Sequence, residues 1–437
     1  MNNKYERMLK TMKRFLSLIL ALALLCPTLC ACDEDTVLET LGEIFGEEEK
    51  TPVIKPALSE ATAELTKSIS FEKTNVSVSE MPDKLLDLAL ELFDECADDE
   101  NTVVSPYSVI YSLAMVQGGA AGKTLGEFEK LTGLKRKELE DILHAYLSSQ
   151  SDELKVANSI WIRNSFKDIV KTDYFERMKK TFAGEVFSAA FDNETLKDIN
   201  KYISDNTNGL IENALDKISD ESVMMLINTV YFNAKWSDPY FGTTNAAFTN
   251  LDGTESKADF LHSTEWSYIS DGKAEGFIKQ YEGGRYAFAA ILPNKSVELD
   301  DYADSLTGKK LKKMLAGAEY VEVRTKMPKF ETHFKTDKLA DVLRDMGLKR
   351  AFKFGSADFT DMADTDELFV SRVIHDAFIR VDETGTEAGA ATIWDIKLGA
   401  AIREEEYKTV HLDRPFMYVI FDTATYAPIF IGQITNM

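Results

Sequence analysis

The stretch 381–392, VDETGTEAGAAT, constrains this chain more than any other part of it. Gly385 leads into a run of small residues: Thr386, Ala388, Gly389, Ala390, Ala391 and Thr392. From Thr386 the side chains alternate. Thr386, Ala388, Ala390, Thr392, Trp394, Ile396 and Leu398 fall on one face, and Glu387, Gly389, Ala391, Ile393, Asp395 and Lys397 on the other. Period two with one apolar face is the pattern of a half-buried strand. Yet the flanks, up to Arg403, read as exposed loop, and no tight hairpin partner lies nearby. A segment with both characters is a switch between loop and strand. Small residues suit its leading end, because bulky or branched ones resist being threaded between existing strands.

Other fragments follow in a fixed order. Asn101–Ser108, NTVVSPYS, leads into the helical Ile110–Met115, and Gly118–Thr124 reads GGAAGKT. Ala157–Trp161 (ANSIW) and Ile227–Trp236 (INTVYFNAKW) come next. Met327–Phe330 (MPKF), Val370–Ala377 (VSRVIHDA) and Leu412–Tyr418 (LDRPFMY) close the set. Each is weak alone, but together, from about Met81 to Met437, the chain resembles the serpin family. The resemblance implies an α+β fold: helices packed on a large mixed β-sheet, two further sheets, and an exposed reactive loop at about 383–408.

Charge and cysteines narrow the surroundings. A net charge of −23 argues against nucleic acid and against docking to anionic lipid, since both need a basic face. Lys135-Arg136-Lys137 is the one compact basic cluster, and it reads as a solvated helix end. Three of the four cysteines, Cys26, Cys30 and Cys32, fall in an export signal: a basic segment to Arg14, then the apolar run 15–25, too short for a confident membrane span. Leu29-Cys30-Ala31-Cys32 looks like a bacterial lipobox, with Cys32 as the residue to be lipidated. Simple secretion, with cleavage after Ala31, is the plainer alternative. The expected organisation is therefore a lipoprotein signal peptide at 1–31, an acidic tether at 32–80 and one folded domain at 81–437. The expected location is the extracellular face of a bacterial membrane, lipid-anchored or secreted. Cys96 is left without a partner and reads as a core thiol.

Within the domain, Leu85, Ala89, Leu92, Phe93 and Cys96 recur at helical spacing behind Pro82. Residues 224–232 form a continuous apolar run of strand length, as do 287–292 before Pro293, and 416–421 and 429–434 near the end. Residues 338–347 read as a helix closed by glycine.

A search for catalytic machinery finds little. None of the five histidines stands in a HExxH motif, and there is no GxSxG and no CxxC. Gly118–Thr124 is one residue short of a phosphate loop and follows a helix. The acidic Asp361, Asp364, Asp366 and Glu367 lack the turn glycine of a calcium loop. No metal and no cofactor is expected, and the chain is read as a non-enzyme.

What the resemblance implies is a covalent inhibitor of serine endopeptidases. The loop is offered as substrate, the protease forms an acyl-enzyme on it, and the cleaved loop inserts into the main sheet before deacylation. Three places would control this. The hinge comprises Glu383, Gly385, Thr386, Glu387, Ala388, Gly389, Ala390, Ala391 and Thr392, and its small residues match the inhibitory branch. Ser105, Ser108, Asn228 and His375 match the shutter beneath the sheet. Trp236 matches the breach at its top, where the family usually has glycine in place of Ala234. Family register puts the scissile bond roughly sixteen residues beyond Glu383, a span of about 50 Å of strand. That gives the window Leu398, Gly399, Ala400, Ala401, Ile402 and Arg403. Its small and aliphatic residues suit an elastase-like or subtilisin-like protease, whereas a trypsin-like one would need Lys397 or Arg403. A monomer is expected. A non-inhibitory serpin, acting as a binding or carrier protein at the cell surface, is the competing reading.

Overall fold

The computed structural model describes residues 58–336, 338–386 and 407–437, apart from the side chain of Asn228. The core is organised around helix α2 (Pro106–Gly119), every residue of which is buried. A helix apolar all round has no solvent face and must lie inside. Ser105 caps it by accepting the Ser108 backbone N–H, and Pro106 fills the first position, where a missing N–H costs nothing. Helix α1 (Asp83–Asp94) buries Leu85, Ala89, Leu92 and Phe93, as the spacing predicts. Cys96 lies just beyond its end, half-buried, and burial pushes the thiol up to about 12, so it is inert at neutral pH. Helices α3 (Gly122–Thr132), α4 (Arg136–Ser149) and α5 (Thr172–Phe182) complete this side. Helix α6 (Asn193–Asn206), capped by Asp192, covers part of the large sheet. Helices α7 (Leu299–Ser305), α8 (Gly308–Ala316) and α9 (Leu339–Asp345) follow, the last within the predicted 338–347.

The large sheet runs in the order β1 (Ala63–Glu64), β4 (Glu185–Ala189), β3 (Leu154–Arg163), β5 (Met224–Phe232), β13 (Arg372–Val381), β14 (Gly385–Thr386) and β6 (Ala234–Lys235), with β12 (Phe330–Thr336) also on β13. Strand β5 explains its own unbroken apolar run. Met224, Leu226, Val230 and Phe232 enter the main core. Met225 and Ile227 face the other way, into a second cluster with Trp161, Phe187 and the α6 residues Ile199, Tyr202 and Ile203. A strand covered on both faces needs no polar alternation.

The second sheet runs β15 (Lys408–His411), β11 (Glu319–Pro328), β8 (Glu255–Ser270), β9 (Ala274–Gln280), β10 (Tyr286–Pro293), β16 (Phe416–Asp422), β17 (Pro428–Ile434) and β2 (Thr102–Val104), with β7 (Gly242–Thr249) on β8. The 16-residue β8 pairs with β7, β11 and β9 in turn, so the two smaller sheets form one hydrogen-bonded surface.

One boundary differs from expectation. Residues 58–80, read as the end of an acidic tether, belong to the compact unit, which runs Leu58–Met437. Ala63 and Glu64 pair with Ser188 and Phe187 and add a strand to the open edge of β4. Leu65 N–H donates to the Val186 carbonyl at 2.7 Å. The Ser59 and Thr62 hydroxyls donate to Asp198 of α6 at 2.5 and 2.6 Å. The polar composition reflects partners on the domain as much as solvent. Residues 32–57 and the signal segment with Cys32 lie outside the described residues.

Candidate functional site

The large sheet has an unfinished ladder at its centre. Strands β5 and β13 are parallel neighbours joined by only three residue pairs: Met225 with Arg372, Leu226 with Val373 and Ile227 with Ile374. Above these, no pairing between the two strands occurs among the described residues. Strand β3, by contrast, pairs with β5 along its whole length, from Leu154 opposite Phe232 to Ile162 opposite Met224. Backbone groups that are not paired in one arrangement can be paired in another, and an unfinished ladder invites a strand.

The chain itself points into that opening. After β13 it turns at Asp382–Gly385, and Thr386 pairs antiparallel with Val381. On its other side β14 pairs antiparallel with β6, Gly385 to Lys235 and Thr386 to Ala234. The Asp382 carboxylate builds the turn by accepting from Thr384 N–H at 2.8 Å, the Thr384 hydroxyl at 2.7 Å and Gly385 N–H at 3.2 Å. Gly385 is required by space: a Cβ there would lie 2.3 Å from the Ala234 carbonyl oxygen and 2.8 Å from Lys235 Cα. Ala234, where the resemblance led to an expectation of glycine, is buried and keeps this pairing.

An aromatic clamp grips the turn. Trp236 Nε1 donates to the Asp382 carbonyl at 2.9 Å, and Trp236 N–H to the Thr384 carbonyl at 2.9 Å. Tyr240 N–H donates to the Glu383 carbonyl at 3.0 Å. Tyr281 stacks on Trp236 at 4.4 Å and shares a 2.6 Å hydrogen bond with the Thr386 hydroxyl. Glu383 pairs with Lys329 at 2.9 Å. Partial burial pushes the Glu383 carboxyl up, but the Lys329 ammonium and a backbone N–H outweigh it and leave the group below the ordinary range.

Lower in the sheet, His375 of β13 is buried. Its Nε2 accepts the Ser105 backbone N–H at 3.3 Å, which assigns the neutral ring with the proton on Nδ1. Burial holds its pKa down at about 4. Ser105 Oγ donates to the Ile429 carbonyl at 2.7 Å and accepts from Ser108 N–H at 3.3 Å. Ser105, Ser108 and His375 therefore tie β13, the start of α2 and β17 into one buried network. The backbone of Asn228 pairs with Asn158, and its side chain lies outside the described residues.

Of the sequence-predicted hinge, Glu383, Gly385 and Thr386 stand at the top of the opening. Glu387, Ala388, Gly389, Ala390, Ala391 and Thr392 lie outside the described residues, as do Leu398, Gly399, Ala400, Ala401, Ile402 and Arg403. Sequence reading missed Asp382, Tyr240, Tyr281 and the pairing of Lys329. The acceptor side chain of Asp382, two and three residues before Thr384 and Gly385, was the one local signal available. The other discarded motifs stay structural. Gly118 and Gly119 end α2 while Gly122–Thr124 open α3. Among the acidic loop residues, Asp361 pairs with Arg136 at 2.6 Å and Asp364 with Lys171 at 2.9 Å.

The fold and this opening define a class: helices over a large mixed sheet with an incomplete ladder between two parallel central strands, above a buried histidine–serine network. The family model Serpin (serine protease inhibitor) matches residues 83–437. An uncharacterized serpin-like protein of Thermococcus kodakarensis is 30% identical over 361 residues, covering 79% of this chain and 83% of that protein. Leukocyte elastase inhibitor A of Mus musculus is 27% identical over 381 residues, covering 80% of this chain and 97% of its own. Among solved structures, the thermophilic serpin tengpin in its native state is similar with a TM-score of 0.79 at 34% identity, covering 86% of this chain and all of that one. Tengpin in its latent state gives a TM-score of 0.71 at 33% identity over 82% of this chain. The chain belongs to the serpin family, whose members are in general protease inhibitors rather than enzymes.

Proposed function

We propose that this chain is an irreversible covalent inhibitor of serine endopeptidases, of elastase-like or subtilisin-like specificity. The observation that carries the reading is the three-pair ladder between β5 and β13, with Gly385 and Thr386 already paired at its upper end. A segment continuing from Thr386 in the same direction runs antiparallel to both neighbours and supplies the hydrogen bonds each lacks. The protease's serine attacks the scissile carbonyl within 398–403, the peptide bond breaks, and the new N-terminal fragment stays joined to the enzyme as an ester. Insertion of the freed segment then carries the protease away before water cleaves that ester. The small residues from Ala388 to Thr392 favour insertion over obstruction, and the small and aliphatic window favours an elastase-like or subtilisin-like pocket. The greater similarity to tengpin's native state than to its latent state is consistent with a sheet awaiting its strand. We further propose that the chain is exported and held at a bacterial surface through Cys32, on the strength of the basic and apolar leader and LCAC.

Mixing the protein with pancreatic elastase, neutrophil elastase, subtilisin and trypsin, then running denaturing gels, tests this. A band at the summed mass that survives boiling is expected, and sequencing the released C-terminal fragment fixes the scissile bond. Clean cleavage without adduct by all four sinks the inhibitory reading and favours a carrier role.

A further inference from the structure

Beneath the clamp lies a buried charge that neither the sheet opening nor the loop chemistry explains. Lys279 on β9 is 1% exposed and Glu265 on β8 is 8% exposed. Lys279 Nζ donates to Glu265 Oε1 at 2.6 Å. The same carboxylate oxygen accepts the Ser263 hydroxyl at 2.5 Å, and Ser263 shares a 2.7 Å bond with Thr325 of β11. The ammonium also faces two rings, lying 4.4 Å from the centroid of Tyr240 and 5.6 Å from that of Trp236.

An ion pair at this depth is a costly choice. Taking both charges out of water costs several kcal/mol per ion, and an apolar pair of similar volume is often as stable or more so. Stability alone does not account for it. What distinguishes Lys279 is what it touches. Tyr240 and Trp236 are the residues whose backbone N–H groups hold the Glu383 and Thr384 carbonyls, and Trp236 Nε1 holds that of Asp382. A cation against the faces of both rings fixes them at one place relative to β9, where greasy contacts allow a ring to slide. Tyr281, directly after β9, stacks on Trp236 from the same stretch of chain.

We infer that Lys279, held by Glu265, is a positioning residue for the hinge: it locks Trp236 and Tyr240 so that the turn at 382–385 is gripped until the loop is cut. The inference rests on the proposed inhibitory function for its purpose, but its physical content is the rigidity of the clamp.

Hydrogen exchange on the full chain, read by mass spectrometry over the segment 234–241, tests it. The double variant Lys279→Met/Glu265→Leu removes both charges together, and the Ser263 hydroxyl that loses the carboxylate still has Thr325 Oγ1 at 2.7 Å. The Trp236 and Tyr240 amides should exchange roughly tenfold faster in it, a size set by a partly desolvated cation–π contact, while the melting temperature stays close to that of the unaltered protein. Lys279→Arg, which keeps the cation and the ion pair, should exchange as slowly as the unaltered chain. Unchanged exchange in the folded double variant overturns the inference. So does fast exchange in Lys279→Arg, since volume rather than charge would then set the rings. Should the double variant fail to fold, Lys279→Gln/Glu265→Gln, which removes both charges but keeps amide groups able to hydrogen-bond at the two positions and an acceptor for Ser263, takes its place with the same two outcomes. Failure of the inhibitory reading shows separately, as absence of adduct in the unaltered protein, and leaves the exchange comparison intact.

Discussion

At the scale of single residues, the site depends on one glycine and one histidine. Gly385 has no room for a side chain, because the Ala234 carbonyl and Lys235 backbone stand where a Cβ would go. Gly385→Ala should cost about 1–3 kcal/mol through strain at the β14–β6 pairing, seen as a lower urea midpoint for loss of the native state. A midpoint within error of the original would mean that the turn shifts freely. His375 gives a pH dependence with a definite sign. Folded, its ring stays neutral down to about 4, whereas the unfolded chain takes up that proton near 6.5. Between these values the unfolded state binds more protons, so the contribution is complete above pH 6.5 and is lost as pH falls toward 4. The full difference is ~3 kcal/mol. His375→Gln, measured beside the unaltered protein at pH 7.5 and 5, should show a smaller loss on acidification. Parallel losses in the two would mean that carboxylates alone set the acid response.

At the scale of elements, the segment 58–80 has a structural duty. It covers the edge of β4, and an uncovered edge is a template for pairing with other chains. It also supplies three hydrogen bonds to the buried Asp198, from Ser59 N–H, Ser59 Oγ and Thr62 Oγ1. The variant Ser59→Ala/Thr62→Val removes two of them and should lose about 2–4 kcal/mol, since a hydrogen bond to a charged group is worth more than a neutral one. Thermal melts decide it, and a shift of less than a degree would show the segment to be ornamental. This segment also marks where sequence reading stops. Helices α1 and α9 and strands β5, β10, β16 and β17 were legible because each carries its own apolar period or run within a few residues. Strand β1 is two residues long and exists because β4, more than a hundred positions later, has a free edge. Trp236 was singled out through the resemblance, but its companions were illegible for the same reason: Tyr240, Tyr281 and Lys329 converge on 382–386 from stretches far apart in the chain. What the sequence did carry was the glycine at the turn: Gly385 stands where the Ala234 carbonyl and the Lys235 backbone leave no room for a Cβ.

At the scale of the whole molecule, the proposed function requires that a better sheet be available than the one displayed. Strands β5 and β13 run parallel with three pairs between them, and parallel pairing is slightly the less favourable kind per residue. A strand continuing from Thr386 between them would convert that contact into two antiparallel ladders. It would also bury Trp394, Ile396 and Leu398, worth several kcal/mol at about 25 cal/mol per Å² of apolar surface. On the proposed mechanism, what prevents this while the chain is whole is covalent: the segment is fastened at its far end, where Lys408 begins the parallel pairing of β15 with β11. The same proposal makes the native form one whose escape is slow rather than one of lowest free energy. Cutting any bond in 398–403 removes the fastening. The cleaved protein, with both fragments retained, should therefore melt roughly 5 °C or more above the intact one, as several added kcal/mol imply for a domain of this size. Ala390→Arg supplies the control, because on insertion its side chain would have to enter the buried face that Thr386 already occupies. Cleaved at the same bond, that variant should melt no higher than before cleavage and should release active protease. Equal gains in both proteins would show that insertion does not reach Ala390, and no gain in either would mean that the opening between β5 and β13 is a resting shape rather than a vacancy.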